Sequence, residues 1–142
     1  MLCIDAIARV PDRGAALAAW ARAVKPGGRV LYTDPAIVAG LVTNEELAMR
    51  SAGGFFVFAP QGENESLIES AGLRLLRADD ATDAVALAAL RLRGERAGRE
   101  ATLVAAEGRD RFDAQQRFLD VTHRLAAERR LARIAFLAEK AP

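Results

Sequence analysis

The sequence predicts an α/β fold, a sheet of about four strands flanked by helices, with a helical insertion before the last strand. Three observations carry that prediction. Short apolar runs rich in β-branched or aromatic residues recur at 1–7, 29–33, 73–78 and 133–139. Stretches with helical spacing of their apolar residues separate these runs. Turn signals, above all Pro26-Gly27-Gly28 and Gly72, stand where helix should give way to strand.

Taken in order, Met1 to Ile7 (MLCIDAI) reads as a buried strand. Pro11 and Asp12 open a helix, with Asp12 as its cap and Ala16, Leu17, Trp20, Ala23 and Val24 as its apolar stripe. Lys25 suits the negative end of that helix, and Pro26-Gly27-Gly28 ends it. Arg29 to Thr33 (RVLYT) reads as a central strand, closed by Asp34-Pro35. Thr43-Asn44-Glu45-Glu46 has the spacing of a capping box, which predicts a short helix to about Ser51, stopped by Gly53-Gly54.

Phe55 to Pro60 (FFVFAP) reads as a short strand or an apolar lid, and periodicity leaves both open. Glu63 to Ala71 predicts a helix with Gly72 just past its end, and Leu73 to Ala78 predicts the next strand. Two long helical stretches follow. One starts near Asp79-Asp80, carries Val85, Leu87, Leu90 and Leu92, and weakens at Gly94 and Gly98. The other runs from about Asp110 to Arg129, with Phe112, Phe118, Leu119, Thr122, Leu125 and Ala126 on one side. Asp113 with Arg117 and Asp120 with Arg124 are spaced to pair on its outer face. Arg133 to Glu139 is the last strand. No repeat or linker composition interrupts the chain, so residues 1–142 read as a single unit.

Composition narrows the function. The chain has 142 residues, 51% hydrophobic and 27% charged, the size and profile of one soluble domain. A net charge of +1 gives no global attraction to nucleic acid or to an anionic membrane. Cys3 is the single cysteine, which excludes an internal disulfide and fits a reducing compartment. No apolar run reaches transmembrane length, and no signal-peptide layout opens the sequence, so a cytoplasmic protein is expected.

Three pieces of the chain carry a family resemblance. CIDAI followed by VPDR looks like the fourth strand and the loop after it in a class I S-adenosylmethionine-dependent methyltransferase. VKPGGRVLYTD resembles that family's K-P-G-G turn and fifth strand, and ESAGLRLLRADD its next short helix and sixth strand. The closing LARIAFLAEKAP is similar to the seventh strand, which lies antiparallel between the fifth and sixth. The resemblance spans nearly the whole chain and only the C-terminal half of that Rossmann-like fold. Within the family, a helical insertion such as residues 80–129 resembles the roof of the substrate pocket in small-molecule methyltransferases.

The resemblance implies methyl transfer from S-adenosylmethionine to a small-molecule acceptor. It also implies that Asp5, Ala6 and Ile7 lie beside the methionine end of the cofactor. Arg9 stands where related sequences often carry a histidine near the transferring methyl; if that histidine assists catalysis, this chain has lost it or uses a guanidinium to orient an anionic substrate. Arg50, Phe55, Phe56 and Phe58 belong to the segment that covers the pocket in relatives. Substrate contacts are therefore expected from Arg9, Asp34, Arg50 and Phe55. The family's G-x-G-x-G cofactor loop and its ribose-binding acid are not in these 142 residues. The expectation is accordingly weak or absent S-adenosylmethionine binding by this chain alone. A homodimer or a complementing N-terminal-half chain should cover the strand at residues 1–7, left at the sheet edge.

Each candidate also has a plain structural reading. Asp5 could cap a loop, Asp34 could form an Asp-Pro turn, and the phenylalanines could be core. Glu63 and Asn64 suit a helix start. His123 has no second ligand-type residue at metal spacing, so no metal site is expected, and Cys3 reads as a core thiol. The arginines at 91, 93, 96 and 99 and at 124, 129, 130 and 133 could form an anion patch or simply solvated helix faces. One histidine and one cysteine assemble no nucleophile triad, and no catalytic residue can be named. A non-catalytic fragment or partner subunit is the second hypothesis. A nicotinamide-dependent oxidoreductase is disfavoured because its glycine fingerprint is equally missing.

Overall fold

In the computed structural model, which describes residues 1–52 and 54–142, one mixed sheet carries helices on its flank and above its strand ends. The strands are β1 (Leu2–Cys3), β2 (Arg29–Val38), β3 (Ala59–Pro60), β4 (Leu73–Asp80) and β5 (Leu131–Lys140). The helices are α1 (Arg13–Ala23), α2 (Asn44–Arg50), α3 (Glu63–Ser70), α4 (Thr82–Ala97), α5 (Glu100–Glu107) and α6 (Arg109–Ala127), with a 3-10 turn at Ile7–Arg9. The main strand order is β1-β2-β5-β4, and β3 adds to the end of β2. β1 runs parallel to β2, while β5 runs antiparallel to both β2 and β4.

The helix-to-strand turn forms as read, for two separate reasons. Gly27 takes a φ of +70°, open to glycine at no steric cost, and a Cβ at Gly28 would lie 2.6 Å from the Lys25 carbonyl oxygen. Both caps also form. The Asp12 carboxylate accepts from the Ala15 amide at 2.8 Å, and Thr43 and Glu46 complete the reciprocal capping box of α2. Gly53, read with Gly54 as the stop after α2, lies outside the described residues.

One core is built from Leu17 and Ala21 of α1, Ile68 of α3, Val30 and Tyr32 of β2, and Phe136 and Ala138 of β5. A second gathers Val121 and Leu125 of α6, Leu131 of β5, and Met49 and Phe58. Because Val30 and Tyr32 face the first core, Leu31 lies on the opposite face of the sheet. Leu2, Leu31 and Leu137 are in register across three strands on that face, and Leu2 is 66% exposed.

Several expectations change. The strand read at residues 1–7 contains only two residues, at the sheet edge, and Ile4 is 52% exposed. Asp5 ends the extended backbone with a φ of +53°. β2 does not stop at Asp34-Pro35 but continues to Val38 through a register shift between Asp34 and Ile37. Proline has no amide to give the ladder there, and the Asp34 carboxylate takes the Ala36 amide instead. The FFVFAP segment yields only the two-residue β3.

In α4 the residues buried against α6 are Ala86 and Ala89, while Leu87, Leu90 and Leu92 stay exposed. Small side chains let the two helices approach closely, which the leucine count did not foretell. Asp113 and Asp120 pair with Arg109 and Arg93 rather than with the arginines four residues further on.

Candidate functional site

The C-terminal ends of the parallel strands β1 and β2 open towards the helical roof, the place where open α/β sheets bind ligands. A cavity of about 380 Å³ lies there. Asp5, Pro35 and Arg133 form its floor, Arg50 one wall, and Val85, Ala88, Leu92, Phe118 and Leu119 of α4 and α6 the roof.

Asp5 is locked in place. Its carboxylate accepts from Arg133 at 2.9 and 3.3 Å and from the Thr33 hydroxyl at 2.7 Å, while its own amide donates to that hydroxyl at 2.8 Å. These contacts hold the positive φ of a non-glycine residue, the kind of strain that clusters at functional sites. Ala6 beside it is exposed, and the Ile7 side chain belongs to the core. Ala6 therefore offers surface to a ligand; Ile7 offers backbone only.

Asp34, expected among the substrate contacts, is removed from them by burial. It is 0% exposed and accepts from Arg13 at 3.0 Å, from the Asn64 amide group at 2.9 Å and from the Ala36 amide at 3.0 Å. Tyr32 extends the chain of contacts by donating to the Asn64 oxygen at 3.1 Å, and burial pushes its phenol pKa up. Arg13 also donates to the Val57 carbonyl at 2.7 Å, and the Val57 amide bonds the Ala8 carbonyl at 2.7 Å. This buried network pins the 55–58 segment over the strand ends. Its signal in the sequence was Arg13 standing four residues before Leu17 and eight before Ala21, in line with a buried stripe.

The 55–58 segment divides its phenylalanines among three environments. Phe58 joins the second core, Phe55 is 61% exposed and does not line the cavity, and Phe56 stacks at 6.2 Å on Phe58. Two cations share the Phe56 ring, Arg9 at 4.6 Å and Arg50 at 5.3 Å from its centre. Arg50 also lies 5.3 Å from the centre of Phe118. Although only 7% exposed, Arg50 has no carboxylate within 4 Å and no hydrogen-bond acceptor among the described residues. Burial pulls its pKa below the ordinary arginine value; the Asp5 charge opposes that and the Arg9 charge adds to it.

Sequence reading therefore named Asp5, Ala6, Arg9 and Arg50 at or beside the cavity. Missing from its site were Arg133, Thr33 and Phe118, which meet Asp5 and Arg50 only through contacts across the fold. His123 sits in α6 with Nδ1 at 2.9 Å from the Ala86 carbonyl, a helix-to-helix contact outside the cavity lining.

The residues present do not fit S-adenosylmethionine by themselves. Asp5 is held by Arg133 and Ile7 is core, and no glycine-rich loop or ribose-binding acid stands within reach in this sequence.

No family model and no curated protein sequence matches the chain. Solved structures do. A Galdieria sulphuraria protein provisionally assigned as a sarcosine dimethylglycine methyltransferase matches 99% of this chain at 20% identity and a TM-score of 0.83. Phosphoethanolamine N-methyltransferase 2 of Haemonchus contortus, in complex with phosphomonomethylethanolamine and S-adenosylhomocysteine, matches 99% at 17% identity and a TM-score of 0.85. Mycolic acid cyclopropane synthase CmaA1, complexed with S-adenosylhomocysteine and CTAB, matches 98% at 11% identity and a TM-score of 0.86.

The chain spans 52% of the Galdieria protein, 33% of the Haemonchus enzyme and 54% of the synthase. It has the fold of the C-terminal half of an S-adenosylmethionine-dependent methyltransferase, the last strand lying antiparallel between its neighbours.

Proposed function

We propose that this chain is the acceptor-binding half of an S-adenosylmethionine-dependent methyltransferase acting on a small molecule. The observation that carries this reading is the cavity itself. It lies at the parallel strand ends, is floored by a locked Asp5 and is roofed by the helices between β4 and β5. Methyl transfer depends chiefly on holding two reactants in line, so a site without a nucleophile or acid-base pair is compatible with it. Asp5 and Ala6 would stand at the methionine end of the cofactor, and Arg9 and Arg50 on the acceptor side. The adenine and ribose contacts would come from a glycine-loop half, as part of a longer chain or as a partner. A cytoplasmic setting agrees with the single thiol, Cys3.

The apolar register of Leu2, Leu31 and Leu137 beside the open edge of β1 supports that half as the covering partner. Burying such surface is worth about 25 cal/mol per Å². Light scattering should find the isolated chain self-associated through this face, and Ile4→Lys or Leu31→Lys should shift it towards monomer. A monomer at high concentration whose β1 amides resist hydrogen exchange would show that the chain covers its own edge.

Calorimetric titration tests the cofactor reading. S-adenosylmethionine or S-adenosylhomocysteine should bind the isolated chain weakly or undetectably, and tightly once a glycine-loop half is supplied. Tight, stoichiometric binding to these 142 residues alone would overturn the division of labour. Failure to bind even with the second half would favour a non-catalytic role.

A further inference from the structure

Arg50 is a cation without a counter-ion on the cavity wall: the sealed, partnerless guanidinium nitrogens among the described residues belong to Arg13 and Arg96, whereas Arg50 borders the open cavity. It is 7% exposed, yet among the described residues no carboxylate approaches it within 4 Å and no group accepts its hydrogen bonds. A buried charge of this kind is normally paired or lost. Nearby Asp5 lies beyond ion-pair distance of Arg50 and is engaged by Arg133 instead. The cavity wall therefore holds Asp5, Arg133 and Arg50, an excess of one positive charge, and Arg9 adds a second across the Phe56 ring. Two arginines on one ring repel each other, and Arg9 too has no carboxylate partner among the described residues.

The aromatic contacts explain how Arg50 is held but not why its N–H groups are left open towards the cavity. Phe56 and Phe118 orient the guanidinium, whose rigid fork of donors matches a carboxylate or a phosphate. Beyond Arg50 the lining turns apolar, with Val85, Ala88, Leu92 and Leu119 along the roof. A positively charged ligand would meet like charge there, and a wholly apolar one would leave the guanidinium unpaired.

Resting on the methyltransferase reading above, we infer that the acceptor is an oxyanion-bearing small molecule with an apolar body. Arg50 receives the carboxylate or phosphate, Arg9 adds charge at the rim, and the body lies along α4. Arg50 is thus a specificity-determining residue, and the missing counter-ion is the substrate.

Hexanoate, hexyl phosphate and the neutral isostere hexanamide test this against the nitrogen-15-labelled chain by NMR. Hexanoate or hexyl phosphate should displace the Arg50 Nε–H signal and bind at least tenfold more tightly than hexanamide. The tighter of the two assigns the oxyanion as carboxylate or phosphate. Arg50→Gln should erase the preference for the anion, and Arg50→Lys should keep part of it. Equal binding of anion and amide, an unmoved Arg50 signal, or a preference that survives in Arg50→Gln would overturn the inference. The wild-type signal decides the matter even where a variant fails to fold. No methyl transfer is read, so hexanoate binding at Arg50 together with failure to bind cofactor even when a glycine-loop half is supplied would sink the methyltransferase reading alone.

Discussion

Two buried arginines flank the 55–58 segment and are treated in opposite ways. Arg13, beneath it, is paired with a fully buried Asp34 and caps the Val57 carbonyl. Arg50, beside it, stacks on two phenylalanines and has no carboxylate among the described residues. Both are almost out of water, so both carry a desolvation cost of several kcal/mol. For Arg13 the Asp34 pair and the Val57 carbonyl, both met through Nη2, offset part of that cost while its Nε and Nη1 stay buried without an acceptor among the described residues, and the product is a fixed lid segment. For Arg50 nothing within the described chain offsets it except ring contacts worth about 0.5–2 kcal/mol. The difference separates a charge that builds the site from a charge kept ready for something else.

Breaking the paired side should have the largest effect. Asp34→Ala strands a buried guanidinium and should cost about 3–5 kcal/mol, lowering the melting temperature by roughly 10–17 °C. Circular dichroism melts measure it, and a loss under about 1 kcal/mol would mean that water already shares the site.

The unpaired side should answer differently. Arg50→Met removes the desolvation cost together with the ring contacts, so stability should stay within about 1 kcal/mol of the parent or rise. A loss as large as that of Asp34→Ala would make Arg50 a structural pillar.

The smallest effect separates both from an ion-pair clamp centred on Glu46. Glu46 joins α2 to the start of β5 through Arg130 at 2.8 and 2.9 Å and to α6 through Arg124 at 3.2 Å. Hydrogen bonding from Arg130, then from the Thr43 amide, lowers its pKa from an ordinary 4.5 to about 2. A carboxylate depressed on folding contributes fully above the unfolded value, and that contribution fades as pH falls from about 4.5 towards 2. Glu46→Gln should therefore flatten the acid limb of a stability-versus-pH curve over that window and leave Asp34-dependent stability intact. An unchanged acid limb would show that the clamp does not hold in solution.

Much of the scaffold was legible because it rests on local chemistry. The Asp12 cap, the Thr43–Glu46 box and the Pro26-Gly27-Gly28 turn are each decided within a few residues, and each formed. β1 was misjudged because strand length depends on having neighbours on both sides, and it has only β2. Asp34 was misjudged because burial of an acid depends on partners 21 and 30 residues away.

The sequence alone determined the α/β class, the helix stops and starts, and the absence of a cofactor glycine loop from these residues. It also placed Asp5 at a strand exit, a short-range property, while Arg50 was expected near the pocket only through the family resemblance. Only the tertiary structure decided which charges are spent on the fold and which remain open. Arg133 reaches Asp5 across 128 residues, while Phe56 and Phe118 meet at Arg50 from a loop and a distant helix. Pairing in a low-dielectric interior is set by which groups the packed chain brings within a few ångströms, and no local pattern encodes that.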